Sequence, residues 1–190
     1  MRLFLLALLA TVLQAQDDTR TSALKQLEHT LSGQTSTNWV QTPTDSAKAA
    51  DAARVTASIT DVHADAGACT LSFKDGRSYP DQKYESVQSW KLNLSDVDRI
   101  QVESMEGFVN RLRAEHGQRP WETKNVPTVY VLLMAAAPDR NFKVHRWSKS
   151  SNNEVAERDL SQPLAFVVFA AEAAAREAAS TLQKAKDLCK

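Results

Sequence analysis

The sequence predicts an α+β fold, mostly antiparallel β with about seven or eight strands, capped by a C-terminal α-helix and preceded by a short N-terminal helix. Three observations lead there. Apolar residues alternate with polar ones from Val55 to Phe169, two runs are apolar almost throughout, and the chain closes in an alanine-rich segment of helical period.

The N-terminus places Arg2 before an apolar run from Leu3 to Leu13, followed by Gln14-Ala15-Gln16 and the acids Asp17 and Asp18. One positive charge, a greasy core and a small residue before a polar start are the layout of a secretory signal peptide, with cleavage expected after Ala15 and the neighbouring bond as the alternative. The run is too short to span a bilayer, which takes about 20 apolar residues.

Leu24, Leu27 and Leu31 then recur at helical spacing between Asp17-Asp18 and Gly33, with the acids placed to meet the positive end of the helix dipole. The stretch QTSTNWVQTPTDS reads as a linker from which Trp39 and Val40 tuck back onto the domain. The expected organisation is a signal peptide at 1–15, a helix and linker at 16–50, and a sheet domain at 51–190.

Val55, Ala57 and Ile59, then Cys69, Leu71 and Phe73 beyond a small-residue turn at Gly67, read as a hairpin with Cys69 on its inward face. Asp75-Gly76 reads as the next turn. Trp90, Leu92 and Leu94 alternate, Ser95-Asp96 breaks the run, and Ile100 and Val102 resume it as a half-buried strand pair. TVYVLLMA and LAFVVFA fit central strands covered on both faces. Between them NFKVHRW and NEVAERDL fit two exposed strands joined through SKSSNN. The 105–117 segment fits either a helix, through Phe108, Leu112 and His116, or an excursion between strands.

In the last segment Ala171, Ala174, Ala175, Ala178, Leu182, Ala185 and Cys189 share one helical stripe. Alanine favours the helix, and Lys184, Lys186 and Lys190 suit its C-terminal dipole. In an exported chain two cysteines point to one intramolecular bridge, Cys69 to Cys189. The expected location is periplasmic or extracellular.

The order of strands from Val55 to Phe169, closed by the helix from Ala171 to Cys189, resembles the pleckstrin-homology-like architecture, a bent sheet sandwich or barrel capped by a helix. The early-strand cysteine, the WKLNLSDVDRIQVES block and the closing DLCK are also similar to small exported bacterial proteins of unknown function. The architectural likeness implies a binding scaffold more often than an enzyme.

Chemistry is sparse. Lys plus Arg and Asp plus Glu both total 23, so no net field recruits nucleic acid, and none is expected as partner. No Gly-x-Ser-x-Gly elbow or HExxH is present, His29, His63, His116 and His145 are scattered, and five glycines leave no phosphate-cradling loop. No catalytic residue, metal site or cofactor is therefore assigned. His63 beside Asp65, and Asp96 with Asp98, read as polar turn residues.

The binding candidates are Lys143, His145, Arg146, Trp147 and Lys149, basic groups able to meet an anion beside an indole able to stack or insert. Alternation puts Lys143, His145 and Trp147 opposite Phe142 and Val144. The leading expectation is an exported non-enzymatic binding or structural module whose partner is an envelope or extracellular protein. A membrane-surface or small-anion binder using the basic strand is the alternative, and an enzyme whose residues converge only in space is the third reading.

Overall fold

The computed structural model describes residues 2–34, 37–41, 53–117 and 128–190. Helix α1 spans Arg2–Ser32, β1 Thr37–Gln41, β2 Ala53–Asp65, β3 Thr70–Tyr79, β4 Tyr84–Asn93 and β5 Val97–Ser104. Helix α2 (Met105–Glu115) is followed by β6 (Tyr130–Ala136), β7 (Phe142–Lys149), β8 (Val155–Gln162), β9 (Leu164–Phe169) and α3 (Glu172–Asp187). The fold is α+β, with antiparallel strands in a six-stranded sheet, β1-β2-β3-β4-β7-β8, and a three-stranded sheet, β5-β6-β9. The two sheets do not close into a barrel.

α1 begins at Arg2 rather than at the acids, because Gln14, Ala15 and Gln16 sustain a helix and nothing there breaks it. Among the described residues no helix is long and apolar enough to cross a membrane. Leu24, Leu27 and Leu31 are buried, and the Glu28 carboxylate accepts the Ala64 backbone N–H at 3.0 Å, so this helix docks on β2. The expected linker contains a strand: β1 pairs with β2 from Thr37 opposite Ala57 to Gln41 opposite Ala53. Thr35, Ser36 and the rest of that linker, 42–50, lie outside the described residues, as do Pro120 and Pro127.

Asp75-Gly76 is not a turn. β3 runs straight through it, with Asp75 facing Gln88 and Gly76 facing Val87. A Cβ at Gly76 would lie 2.8 Å from Ser58 Oγ, so glycine here answers a close approach of β2. The chain turns instead at Pro80–Gln82, closed by Lys83 in the left-handed region (φ 50°).

Cys69 lies in the β2–β3 turn rather than on a strand face, at φ 51°. Asp65 orders that turn. Its carboxylate accepts Gly67 N–H at 2.8 Å and Ala68 N–H at 3.0 Å, and those two bonds hold its pKa below the usual carboxylate value. The Cys69 carbonyl takes Leu94 N–H at 2.9 Å, and the Cys69–Cys189 disulfide is present, with Cα atoms 5.7 Å apart.

β4 and β5 are not a hairpin. The 3₁₀ turn Leu94–Asp96, capped by Asn93 Oδ1 accepting Ser95 N–H and anchored by buried Leu94, carries the chain from one sheet to the other. α2 resolves the ambiguous segment as a helix: Ser104 Oγ caps it by accepting Gly107 N–H at 3.1 Å, and Phe108 is buried.

The main core joins the α1 leucines, Leu71, Phe73, Trp90, Leu92, Phe142 and Val144 of the six-stranded sheet, Leu132 and Met134 of β6, and Ala175, Ala178, Leu182 and Ala185 of α3. β6 is covered on its other face too, where Val131 and Leu133 meet Phe108. β9 is equally apolar but stands at a sheet edge. The α3 stripe begins at Ala174, which packs half-buried against the core, since Ala171 is the exposed cap residue. Lys186 is buried, and its ammonium donates to the Asp98 carbonyl at 2.6 Å, which ties α3 to β5.

Two core aromatics separate packing from polarity. Phe142, 2 % exposed, is expected to cost about 3–5 kcal/mol on replacement by Ala. Trp90 buries an indole N–H with no hydrogen-bond partner, so Trp90→Phe removes an unsatisfied donor along with some packing. Its expected cost is about 1 kcal/mol or less, read by urea denaturation. A cost equal to that of Phe142→Ala would show the indole to be held by more than its contacts.

Candidate functional site

β7 carries every sequence-predicted binding residue, and strand alternation divides them. Lys143, His145, Trp147 and Lys149 point away from the core, while Arg146 shares the face of Phe142 and Val144. Each outward residue has defined cross-strand neighbours. Lys143 stands opposite Lys91, His145 opposite Ser89 and Asp159, Trp147 opposite Val87 and Glu157, and Lys149 opposite Glu85 and Val155.

His145 is held by acids, its Nδ1 2.9 Å from Asp159 Oδ1 and its Nε2 4.0 Å from Glu157 Oε2. When protonated it is already compensated, so it adds little to an anion site. Lys143 and Lys91 are both exposed and take part in no ion pair among the described residues. Two like charges directly opposite on a sheet are unfavourable, and an anion placed over them relieves that cost. The five candidates therefore form an outward strip with one inward outlier.

The outlier belongs to a polar cluster on the inner face. Arg146 Nη2 donates to Tyr84 Oη at 3.0 Å. Burial raises the Tyr84 pKa, but hydrogen bonds and charge from Arg146, with Ser148 and Ser86, outweigh it and leave the phenol below its ordinary value. Further along, Asp75 is 2 % exposed and accepts from Arg77 Nη2 at 2.7 Å. Desolvation lifts its pKa above the ordinary value, against the lowering effect of Arg77. The Arg77 guanidinium lies 4.4 Å over the Phe166 ring, so this pair sits where the sheet meets β9.

The other sequence candidates separate. His63 lies on β2, not in the turn, and its Nδ1 is 3.6 Å from Glu28 Oε2, whereas Asp65 is engaged in the turn. Asp96 lies 3.8 Å from Arg140, and Asp98 contributes its backbone carbonyl to Lys186. Among the described residues no group of three His, Cys, Asp or Glu side chains is placed to hold a metal ion.

Described residues line two surface clefts. One, of about 360 Å³ between β5 and α2, is lined by Arg99, Gln101, Val102, Glu103, Arg111 and Glu115. Its Arg111 pairs internally, 2.6 Å from Glu103 and 3.4 Å from Glu115. The other, of about 410 Å³, opens at the end of the sheet between the β3–β4 and β7–β8 turns and includes Lys149, Lys83, Tyr79 and Tyr84 in its lining. Sequence reading passed over YPDQKY, because its lysine and tyrosines meet Lys149 only through strand pairing across more than sixty residues of chain. The one local signal was two tyrosines flanking a Pro-Asp turn.

No family model, curated protein or solved structure matches this chain.

Proposed function

We propose that the protein is an exported, non-catalytic binding module that presents the outward face of its six-stranded sheet to another envelope or extracellular component. The Cys69–Cys189 bridge carries this reading, because structural disulfides persist in oxidising compartments and are rare in a reducing cytosol. The apolar 3–13 run supplies the matching export signal, cut after Ala15. A binding role draws support from the spread of Lys143, His145 and Trp147 along an outward strand face, where they suit an extended contact better than a reacting centre. The helix-capped antiparallel sheets are also the ground for a pleckstrin-homology-like scaffold, although architecture by itself assigns no ligand.

The test is the mass of the protein recovered from the envelope or medium of an expressing cell. The expected species begins at Gln16, is lighter by one pair of hydrogens than after reduction, and cross-links to a partner from a photoreactive group at His145. Full-length protein retained in the cytosol with free thiols overturns export. Turnover of an envelope substrate that one polar substitution abolishes overturns the non-catalytic role.

Lys91 opposite Lys143 favours a second reading, contact of the same face with an anionic lipid surface. Sedimentation with phosphatidylglycerol vesicles that salt and Lys143→Glu both weaken would establish it, and sedimentation indifferent to both would reject it.

A further inference from the structure

We infer that the cleft between the Pro80–Gln82 turn and the 150–153 turn is a binding site for a phosphate- or sulfate-class oxyanion. Two hairpin ends lie side by side here because β4 pairs with both β3 and β7, with Glu85 facing Lys149. The β3–β4 turn brings Lys83, fixed in the left-handed conformation at φ 50°, and the β7–β8 turn follows directly from Lys149. Neither lysine forms an ion pair among the described residues, whereas the basic groups of the cleft beside α2 include an arginine committed to two glutamates.

Three further features suit an oxyanion. Ser150, in the lining, has a buried Oγ without a hydrogen-bond partner, a cost that a ligand oxygen would remove. The Tyr79 and Tyr84 rings, 5.6 Å apart and tilted by 60°, form an apolar wall for the carbon part of an ester. Behind that wall, on the inner face and outside the lining, Arg146 donates to Tyr84 Oη and fixes that ring. The acid in the lining is Glu85, while nearby Asp81 is engaged by Arg54 at 3.0 Å. Two lysines and a hydroxyl against one carboxylate leave an electropositive, hydrogen-bonding lining.

The test titrates the oxidised full chain with inorganic phosphate and, separately, sulfate, following backbone amide shifts. Saturable shifts confined to Lys83, Tyr84 and residues 149–153 are expected. Lys83→Ala with Lys149→Ala should weaken binding about tenfold or more, and Glu85→Gln should tighten it about threefold. Lys184→Ala, an exposed basic residue on α3 outside the cleft, should leave it unchanged. Glu85→Gln raises affinity, so loss of fold in the double variant cannot mimic the result. Absent saturation, or shifts that spread over surface lysines and survive the double variant, would overturn the inference. The source divides on a second arm: phosphatidylglycerol vesicles displaced by free phosphate identify a headgroup ligand, and phosphate binding without vesicle binding identifies a soluble one.

Discussion

Replacing Cys69 and Cys189 by Ala lowers the free energy of unfolding by about 2–5 kcal/mol, a large share of the roughly 5–15 kcal/mol of an ordinary domain. The bridge joins residues 120 apart in sequence, and the chain-entropy relation puts the ceiling for such a loop at about 5 kcal/mol. Its position makes the loss specific. α3 is attached largely through small side chains, Ala175, Ala178 and Ala185 with Leu182, whose individual burial energies are low. Beyond Asp187 backbone bonds such as Cys189 N–H to the Lys186 carbonyl and an exposed Lys190–Asp187 pair hold the chain, so without the disulfide this end frays. Urea denaturation gives the magnitude and amide exchange gives the place, with protection in α3 expected to fall first. A variant as stable as the parent, with α3 equally protected, would mean that packing and the Lys186–Asp98 contact suffice.

Replacing Arg77 by Met costs about 3–5 kcal/mol at pH 7, because it leaves buried Asp75 without its cation. Desolvation already raises the Asp75 pKa above its unfolded value of about 3.9. An acid raised on folding contributes stability that is fully present below the unfolded pKa and lost as pH rises through the folded one. Loss of Arg77 raises the folded value further, so the gap between variant and parent should open as pH rises through the parent's own raised folded value and narrow below it. The double variant Asp75→Asn, Arg77→Met keeps no buried charge and is expected to recover much of the loss. A single-variant defect independent of pH would assign the effect to the packing of Arg77 on Phe166 instead.

Several elements were legible because their information is local. The α3 stripe depends only on the spacing of alanine, Leu182 and Cys189, and the β7–β8 pair depends only on alternation around SKSSNN. Asp75-Gly76 misled for the opposite reason. Its turn-like composition serves a buried ion pair and a close approach to Ser58, both set by neighbouring strands. Trp39-Val40 similarly became strand because β2 offered an edge, a partner invisible from the linker itself.

The candidate site divides along the same line. The sequence marked β7 as basic and aromatic, and period-two alternation already implied that its residues face both ways. It could not bring Lys83, Tyr79 and Tyr84 beside Lys149, nor place Asp159 against His145. By itself, then, the sequence determined the α+β class, the terminal helix, the cysteine pairing and the basic strand, all properties of local period or of a count of two. Tertiary structure alone decided the split between the sheets at Leu94–Asp96, the burial of Asp75 with Arg77 and the cleft at the strand ends. The physical reason is that strand pairing joins residues far apart in the chain, and no local pattern records which strands will meet.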